Sequence, residues 1–450
     1  MFSSRGLSSR EAIRPLMYSL LETRQRSNYE DLGSIGGVIF EDHLLFSNKF
    51  KRGGIYYQAL KNDRKQGLAG PHFWSSGISD ANFKNIFAIG DIHGDFVSLL
   101  SSLYIAKVID VNGNWIARDT IVIQLGDILD RERPGIESTN TSQNPREEID
   151  IIQYIYGIDF QARKINSRII SLCGNHDLWP FQNHGPSLQD RAKYVGYPLK
   201  VYGGMRKRDQ YFRSDGMRNY MAIYRPPILK ASEWLAMHGG ISNKNFMKGI
   251  NQLQGLIEQD EETQFSPMKL LGEQWVSGMT HPRRPFPKFI LDAMYNRYWA
   301  RGPTSDFQQN SCSNNLMDML RFFDIDGDGG LLLGHTPMWV VGSKTEMHSV
   351  EVVCNRNCEG DACGVVLADV AQSEGFHPDV DVSQLDGESL RKHQDEMIKS
   401  TSILWIVRDR KRNRSLSLHR ITSGLVEDGI FRYISTFEKN KGWSLKRQDR

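Results

Sequence analysis

Residues 84–95 read KNIFAIGDIHGD, and the pattern inside them recurs along the chain. A short apolar run, Ile86–Ile89, closes on a glycine, and an aspartate and a histidine follow. The same arrangement returns as Ile121–Leu125 before GDILDR (126–131) and as Ile169–Leu172 before CGNHD (173–177). It returns twice more, as Trp234–Met237 before HGG (238–240) and Leu331–Leu333 before GHTP (334–337). Short apolar runs bounded by polar, glycine-containing turns read as buried strands. Helix-like patterns such as 147–165 lie between the first three, so the first half predicts β-α-β-α-β and an α/β fold with parallel character.

Around this half, the chain of 450 residues is 39% hydrophobic and 24% charged, an ordinary globular composition with room for a large core. A net charge of +3 gives no bulk argument for nucleic acid or an acidic surface. No apolar run approaches the roughly 18–20 residues of a membrane helix, so no membrane partner is expected. Five cysteines in a long chain argue against a disulfide framework. They favour a reducing, cytoplasmic or otherwise intracellular setting, with an organelle or a virion as the alternatives. The Ser- and Arg-rich start carries Glu11 and Glu22 and reads as a surface helix in preference to a targeting segment.

The chain divides into an N-terminal extension (1–83), a main domain (84–371) and a C-terminal extension (372–450). The last holds a β-hairpin at 401–423 and a basic tail with Lys439, Lys441, Lys446, Arg447 and Arg450. Stretches 132–146 and 180–232 are polar, with Gly, Pro and Arg, and read as loops or a lid.

Each of the five strands ends in residues able to bind a hard or borderline cation. They are Asp91 with His93, Asp127 with Asp130, Asn175 with His176, then His238 and His335. Sites in open α/β sheets form at the carboxyl ends of strands, so the five turns are expected to converge on one edge. Carboxylate, imidazole and amide oxygen together suit Mn, Fe or Zn. One Asp-x-His in a loop is ordinarily just solvated, but five such pieces in order, each after a strand, argue for a metal site. Two cations sharing a carboxylate would lower the pKa of a water between them and clamp phosphoryl oxygens.

The set GDIHGD, GDILDR, GNHD, HGG and GHTP resembles the calcineurin-like metallophosphoesterase superfamily. Within it the chain is similar to the phosphoprotein (serine/threonine) phosphatase family, above all its bacterial and Shewanella-like branches, over about 84–371. The resemblance implies a four-layer αββα sandwich, two mixed β-sheets flanked by helices. It also implies two divalent or transition metal ions. Asp91 and His93 would bind the first, Asp127 would bridge, and Asn175, His238 and His335 would bind the second. His176 would be the general acid, Asp130 would hold its imidazole, and Arg131, Arg301 and Asn175 would contact substrate phosphate. Departures concern the substrate more than the metals. Cys173 and Asp177 stand where the family's eukaryotic members have Arg and Glu, and Glu132 replaces the glycine after Asp-Arg. Asp127 follows Asp91 by 36 residues and Asn175 follows Asp127 by 48, which are long intervals.

Three further stretches invite other readings. DIDGDGG (324–330) imitates an EF-hand loop, but His335 stands where the twelfth-position Glu belongs, so an Asp/Gly turn is expected. Cys354, Cys358 and Cys363, with His348, have an off-pattern spacing for zinc and read as thiols on a hairpin. The run 203–218 mixes Arg206, Lys207, Arg208 and Arg213 with Tyr211 and Phe212. It reads as a solvated lid face, or as a clamp for a phosphorylated chain or single-stranded nucleic acid.

The leading expectation is hydrolysis of phosphoserine or phosphothreonine, with phosphotyrosine as a further substrate. A second reading keeps the core and changes the substrate to a dinucleoside polyphosphate, nucleotide or RNA end. A third makes the chain a component of a larger assembly, cellular or viral.

Overall fold

The computed structural model describes residues 35–71, 73–74, 83–132, 146–182, 186–195, 198–241, 245–246, 248–249, 266–281, 286–297, 299, 316–325, 329–336, 351–354, 364–369, 402–408, 416–426, 429–438 and 442–449. The order begins α1 (His43–Phe50), α2 (Ile55–Lys65), β1 (Asn85–Ile89), α3 (Phe96–Ile105), β2 (Thr120–Gln124), α4 (Glu147–Arg163) and β3 (Arg168–Ser171). Then come α5 (Asn175–Leu178), α6 (Leu188–Val195), α7 (Pro198–Tyr202), α8 (Met205–Phe212), α9 (Asp215–Tyr224), β4 (Ile228–Ala231) and β5 (Trp234–Met237). They are followed by α10 (Pro267–Thr280), α11 (Lys288–Tyr295), β6 (Gly330–Leu333), β7 (Glu351–Cys354) and β8 (Gly364–Leu367). The chain finishes with β9 (Ser402–Arg408), β10 (Leu416–Val426), β11 (Gly429–Glu438) and β12 (Gly442–Asp449).

Two mixed sheets flanked by helices result, as expected. One has the order β12-β11-β10-β9-β1-β2-β3 and the other β4-β5-β6-β8-β7. β1, β2 and β3 run parallel, with Ile86 opposite Ile121 and Val122 opposite Ile169. Their near-continuous apolar composition follows from burial on both faces, and Ile121, Val122 and Ile123 are fully enclosed. Each such side chain contributes about 1.5–3 kcal/mol by leaving water. In the second sheet β5, β6 and β8 are parallel, with β4 and β7 antiparallel at the edges. α4 packs on β3, α10 on β4 and α3 on β10.

The segment 180–232 corrects the expectation of loops. Its described residues form four helices, α6–α9, before β4. Met217, Tyr220, Met221 and Tyr224 carry helical spacing, and the first three are buried. The surrounding Arg, Asp and Gly mask that period.

The hairpin at 401–423 is β9–β10, with Leu418 opposite Ile406. Two further strands, β11 and β12, continue the same antiparallel run, and β12 takes in Lys446 and Arg447 of the basic tail; Lys439, Lys441 and Arg450 lie outside the described residues. Alternation of Trp443 and Leu445 with Ser444 and Lys446 is the strand signal under the charge. β9 pairs with β1 itself, and Trp405 stacks on Phe87 at 5.9 Å. Residues 43–65 likewise pack onto the domain, with Phe50 5.0 Å from Tyr156 and 5.3 Å from Tyr220. Asp324 lies in a turn and β6 starts at Gly330; residues 326–328, His348, Cys358, Cys363 and 1–34 lie outside the described residues.

Candidate metal centre

Five strand ends do converge. β1, β2 and β3 deliver their turns from the first sheet, and β5 and β6 deliver theirs from the second. Bonds between the sheets fix the meeting: the His335 N–H donates to Asp91 Oδ1 at 3.1 Å, and His238 Nδ1 donates to the Leu125 carbonyl at 2.8 Å. The turns are sharp enough that His93, Asp127, Asp130 and His335 all have φ between 47° and 68°. Asp and His tolerate this left-handed region better than most side chains. Gly174 is obligatory for another reason: a Cβ there would overlap Asp127 Oδ1 and its backbone N.

Two groups of donors result, Asp91/His93/Asp127 and Asp127/His238/His335, each with ligand atoms within 4.8 Å of one another. Asp127 belongs to both. Its Oδ1 accepts the His176 N–H at 2.9 Å. Its Oδ2 lies 3.2 Å from His238 Nε2 and 3.8 Å from His93 Nε2. Asn175 Oδ1 stands 3.0 Å from His238 Nε2, so all six proposed ligands gather in one buried place.

The imidazoles are oriented for coordination. His93 Nδ1 faces the Leu129 carbonyl at 3.1 Å and His238 Nδ1 faces that of Leu125. A carbonyl only accepts, so these nitrogens carry the protons and Nε2 is the donor atom toward a cation. In His335 the roles reverse: Nε2 faces the Tyr295 carbonyl at 3.2 Å, leaving Nδ1. Burial, with His238 and Arg297 nearby, holds His335 well below the usual imidazole range, so it is neutral as a ligand must be. Burial opposes protonation of His238 too, but Asp127 and Asp91 override it and lift that ring to about 9, so a cation bound at Nε2 would have to take the place of a proton there. Burial alone would raise the Asp127 carboxyl, yet His238, His176 and His93 hold it well below the usual range. The donor set therefore fits divalent cations: concentrated buried negative charge, with each imidazole's remote nitrogen already committed.

His176 Nδ1 lies 2.9 Å from Asp130 Oδ2, and its Nε2 points inward, 3.9 Å from Asp127 Oδ2. Behind this pair stands a layer that the motifs did not reveal. Arg208 of α8, fully buried, donates to Asp130 Oδ1 at 2.7 Å and to Glu148 Oε1 at 2.9 Å. Glu148 Oε1 also accepts the Asp130 N–H at 2.8 Å. Burial pushes the Asp130 carboxyl up, and the Arg208 guanidinium opposes that push. Helical spacing holds the signal: Arg208, Tyr211 and Phe212 share one face, and both rings are buried. Asp177 is a second organiser. It accepts the N–H groups of Ile128 and Leu129 at 3.0 and 3.1 Å and that of Gly174 at 2.9 Å, with Arg225 at 2.6 Å. One aspartate thus ties the 127–130 turn to the 174–177 turn.

Arg131 is nearby but occupied. Buried to 2% exposure, it donates to the Gly94 carbonyl at 3.0 Å and is ion-paired with Glu147. Arg301 lies outside the described residues.

Strand-end donors gather around a shared aspartate, and the calcineurin-like phosphoesterase family model matches residues 84–338. The chain belongs to that family, which uses divalent metals. It is 27% identical over 196 residues to Shewanella-like protein phosphatase 1 of Plasmodium berghei, covering 41% of this chain and 46% of that one. It is 30% identical over 207 residues to Shewanella-like protein phosphatase 2 of Arabidopsis thaliana, covering 38% and 50%. The chain thus spans about half the length of these curated relatives. Among solved structures, the cold-active protein-tyrosine phosphatase of a psychrophilic Shewanella species aligns over 81% of each chain, at 15% identity and a TM-score of 0.45. Among the described residues no helix is long and apolar enough to cross a membrane.

Proposed function

We propose that this chain is a dinuclear phosphomonoesterase acting on phosphoserine and phosphothreonine in proteins, with phosphotyrosine as a further substrate. The observation that carries the reading is the His176–Asp130 pair facing the buried aspartate shared by two donor groups. Asp91 and His93 would hold one cation, Asn175, His238 and His335 the other, with Asp127 between them; Mn, Fe and Zn suit these donors. When bound, such a pair supplies Lewis acidity to water and to phosphoryl oxygens.

The protein's own part is proton transfer and positioning. His176 Nε2 donates a proton to the leaving oxygen as its bond to phosphorus breaks. The Asp130 carboxylate on Nδ1 stabilises the charged imidazole that makes this donation possible, and it fixes the ring's direction. Arg208 and Glu148 hold Asp130 in turn. Arg131, by exchanging Glu147 for a phosphate oxygen, and Arg301 would grip the transferred group, a task suited to the guanidinium fork. Residues 84–371 would form the catalytic unit. The names of the relatives, protein phosphatases, favour a protein substrate over a nucleotide.

A substrate panel tests this: a phosphoserine peptide, para-nitrophenyl phosphate and diadenosine tetraphosphate, each with manganese. The first two should release phosphate, and His176→Ala should lose the release from the peptide. Turnover of the dinucleotide alone would move the substrate to nucleotides, and no turnover of any would remove the enzyme.

A further inference from the structure

Beside the metal centre, on the helical segment, opens a cavity of about 490 Å³. Two of its lining residues are joined to the site. The Trp179 ring lies 3.9 Å from that of His176, and Gln182 Oε1 accepts the Tyr295 hydroxyl at 2.6 Å, while the Tyr295 carbonyl faces His335. The cavity is therefore one side chain, Trp179, away from His176.

Its charge is lopsided. Among the described residues, Arg191, Arg206 and Arg213 line it against a single carboxylate, Asp209. Arg191 takes that carboxylate in a two-pronged pair, with Nη1 2.9 Å from Oδ2. Arg213 is anchored by the Pro180 and Gln182 carbonyls, which orient its guanidinium without cancelling its charge. Arg206 stands exposed at the start of α8. Two positive charges thus face a space large enough for one or two side chains, in a wall braced by a neutralised pair.

We propose that this cavity is a specificity subsite for an acidic residue, or a second phosphorylated one, flanking the scissile phosphoresidue of a polypeptide; the inference rests on the phosphatase reading above. A nucleic acid suits it poorly. The rings of the same segment that could stack bases, Tyr211 and Phe212, are buried, and Trp179 is 7% exposed with His176 and Tyr194 against it.

The test uses the full chain with manganese and two phosphoserine peptides, one with glutamates two and three residues to each side of the phosphoserine and one with alanines there. The acidic peptide should be favoured about tenfold in kcat/KM. Arg206→Glu, a change at an exposed position, should erase or reverse that preference and leave para-nitrophenyl phosphate turnover unchanged. Arg213→Lys, which keeps the charge, should retain it. Equal rates on the two peptides, a preference that survives Arg206→Glu, or a stronger rate on diadenosine tetraphosphate would overturn the subsite. Absence of para-nitrophenyl phosphate turnover would instead overturn the hydrolytic reading, and the subsite with it.

Discussion

Asp127 has φ of 51° and Asp130 has 68°, a conformation that costs an L-residue about 1–2 kcal/mol. The cost is met by bonds that converge on this turn: Asp177 takes two of its N–H groups, and Glu148 takes that of Asp130. Arg208 is the keystone of the arrangement, because it pairs with two buried carboxylates, Asp130 and Glu148, at once. Arg208→Met should therefore cost about 3–5 kcal/mol, the usual penalty for leaving buried charge unpaired. Denaturant melts should report the loss, and Arg208→Lys should recover part of it. If Arg208 also positions His176 through Asp130, the alkaline limb of the pH–rate profile, where the general acid loses its proton, should shift in the lysine variant; an unmoved profile would confine Arg208 to stability. Gly174→Ala tests the neighbouring turn. Its Cβ would displace Asp127, so metal content measured by mass spectrometry should fall below that of wild type.

At the scale of elements, what was legible in the sequence is what local pattern encodes. The five strands and the β-α-β-α-β order were readable because buried parallel strands have few polar residues to blur them. The candidate ligands were singled out because each follows its strand directly. The helices of 188–224 were not, since their apolar stripe is narrow and carries buried arginines. Nor was Arg208 distinguishable from Arg206 by residue type: one is sealed against Asp130 and the other faces a cavity, a difference made by tertiary packing. The joint between α4 and β3 shows the same dependence. Asp159 accepts from Arg168 and from the Ile169 N–H, and it pairs with Arg163. Burial would raise its carboxyl, but Arg168 and Arg163 hold it below the ordinary value. A depressed carboxyl stabilises the fold above its unfolded pKa, about 3.9, and that contribution fades as pH falls through the lower folded value. Asp159→Asn should thus lower stability at neutral pH by about 3–5 kcal/mol. The deficit should shrink below about pH 3.9 in urea melts taken across pH.

At the scale of the molecule, bonds between the two sheets at the site end are made by groups proposed to bind metal. Asp91 accepts from the His335 backbone, and His238 reaches across to Leu125. Cation binding should consequently stabilise the whole fold. At a hundredfold excess over its Kd each ion adds about 2.7 kcal/mol, so chelation should lower the melting temperature by several degrees. Strand β9 gives the same unity to the distant end of the chain: its pairing with β1 makes β9–β12 part of the sheet whose strand β1 leads into Asp91. That long-range pairing was not readable locally, because hairpin 401–423 names no partner outside itself.

The most direct test of the account is the rate of para-nitrophenyl phosphate hydrolysis by chelator-stripped protein titrated with manganese, for wild type and Asp127→Asn. The shared-aspartate centre predicts no activity when stripped, saturable recovery in wild type, and no recovery in the variant. A stripped protein that stays active, or an Asp127→Asn variant restored as fully as wild type, would contradict it.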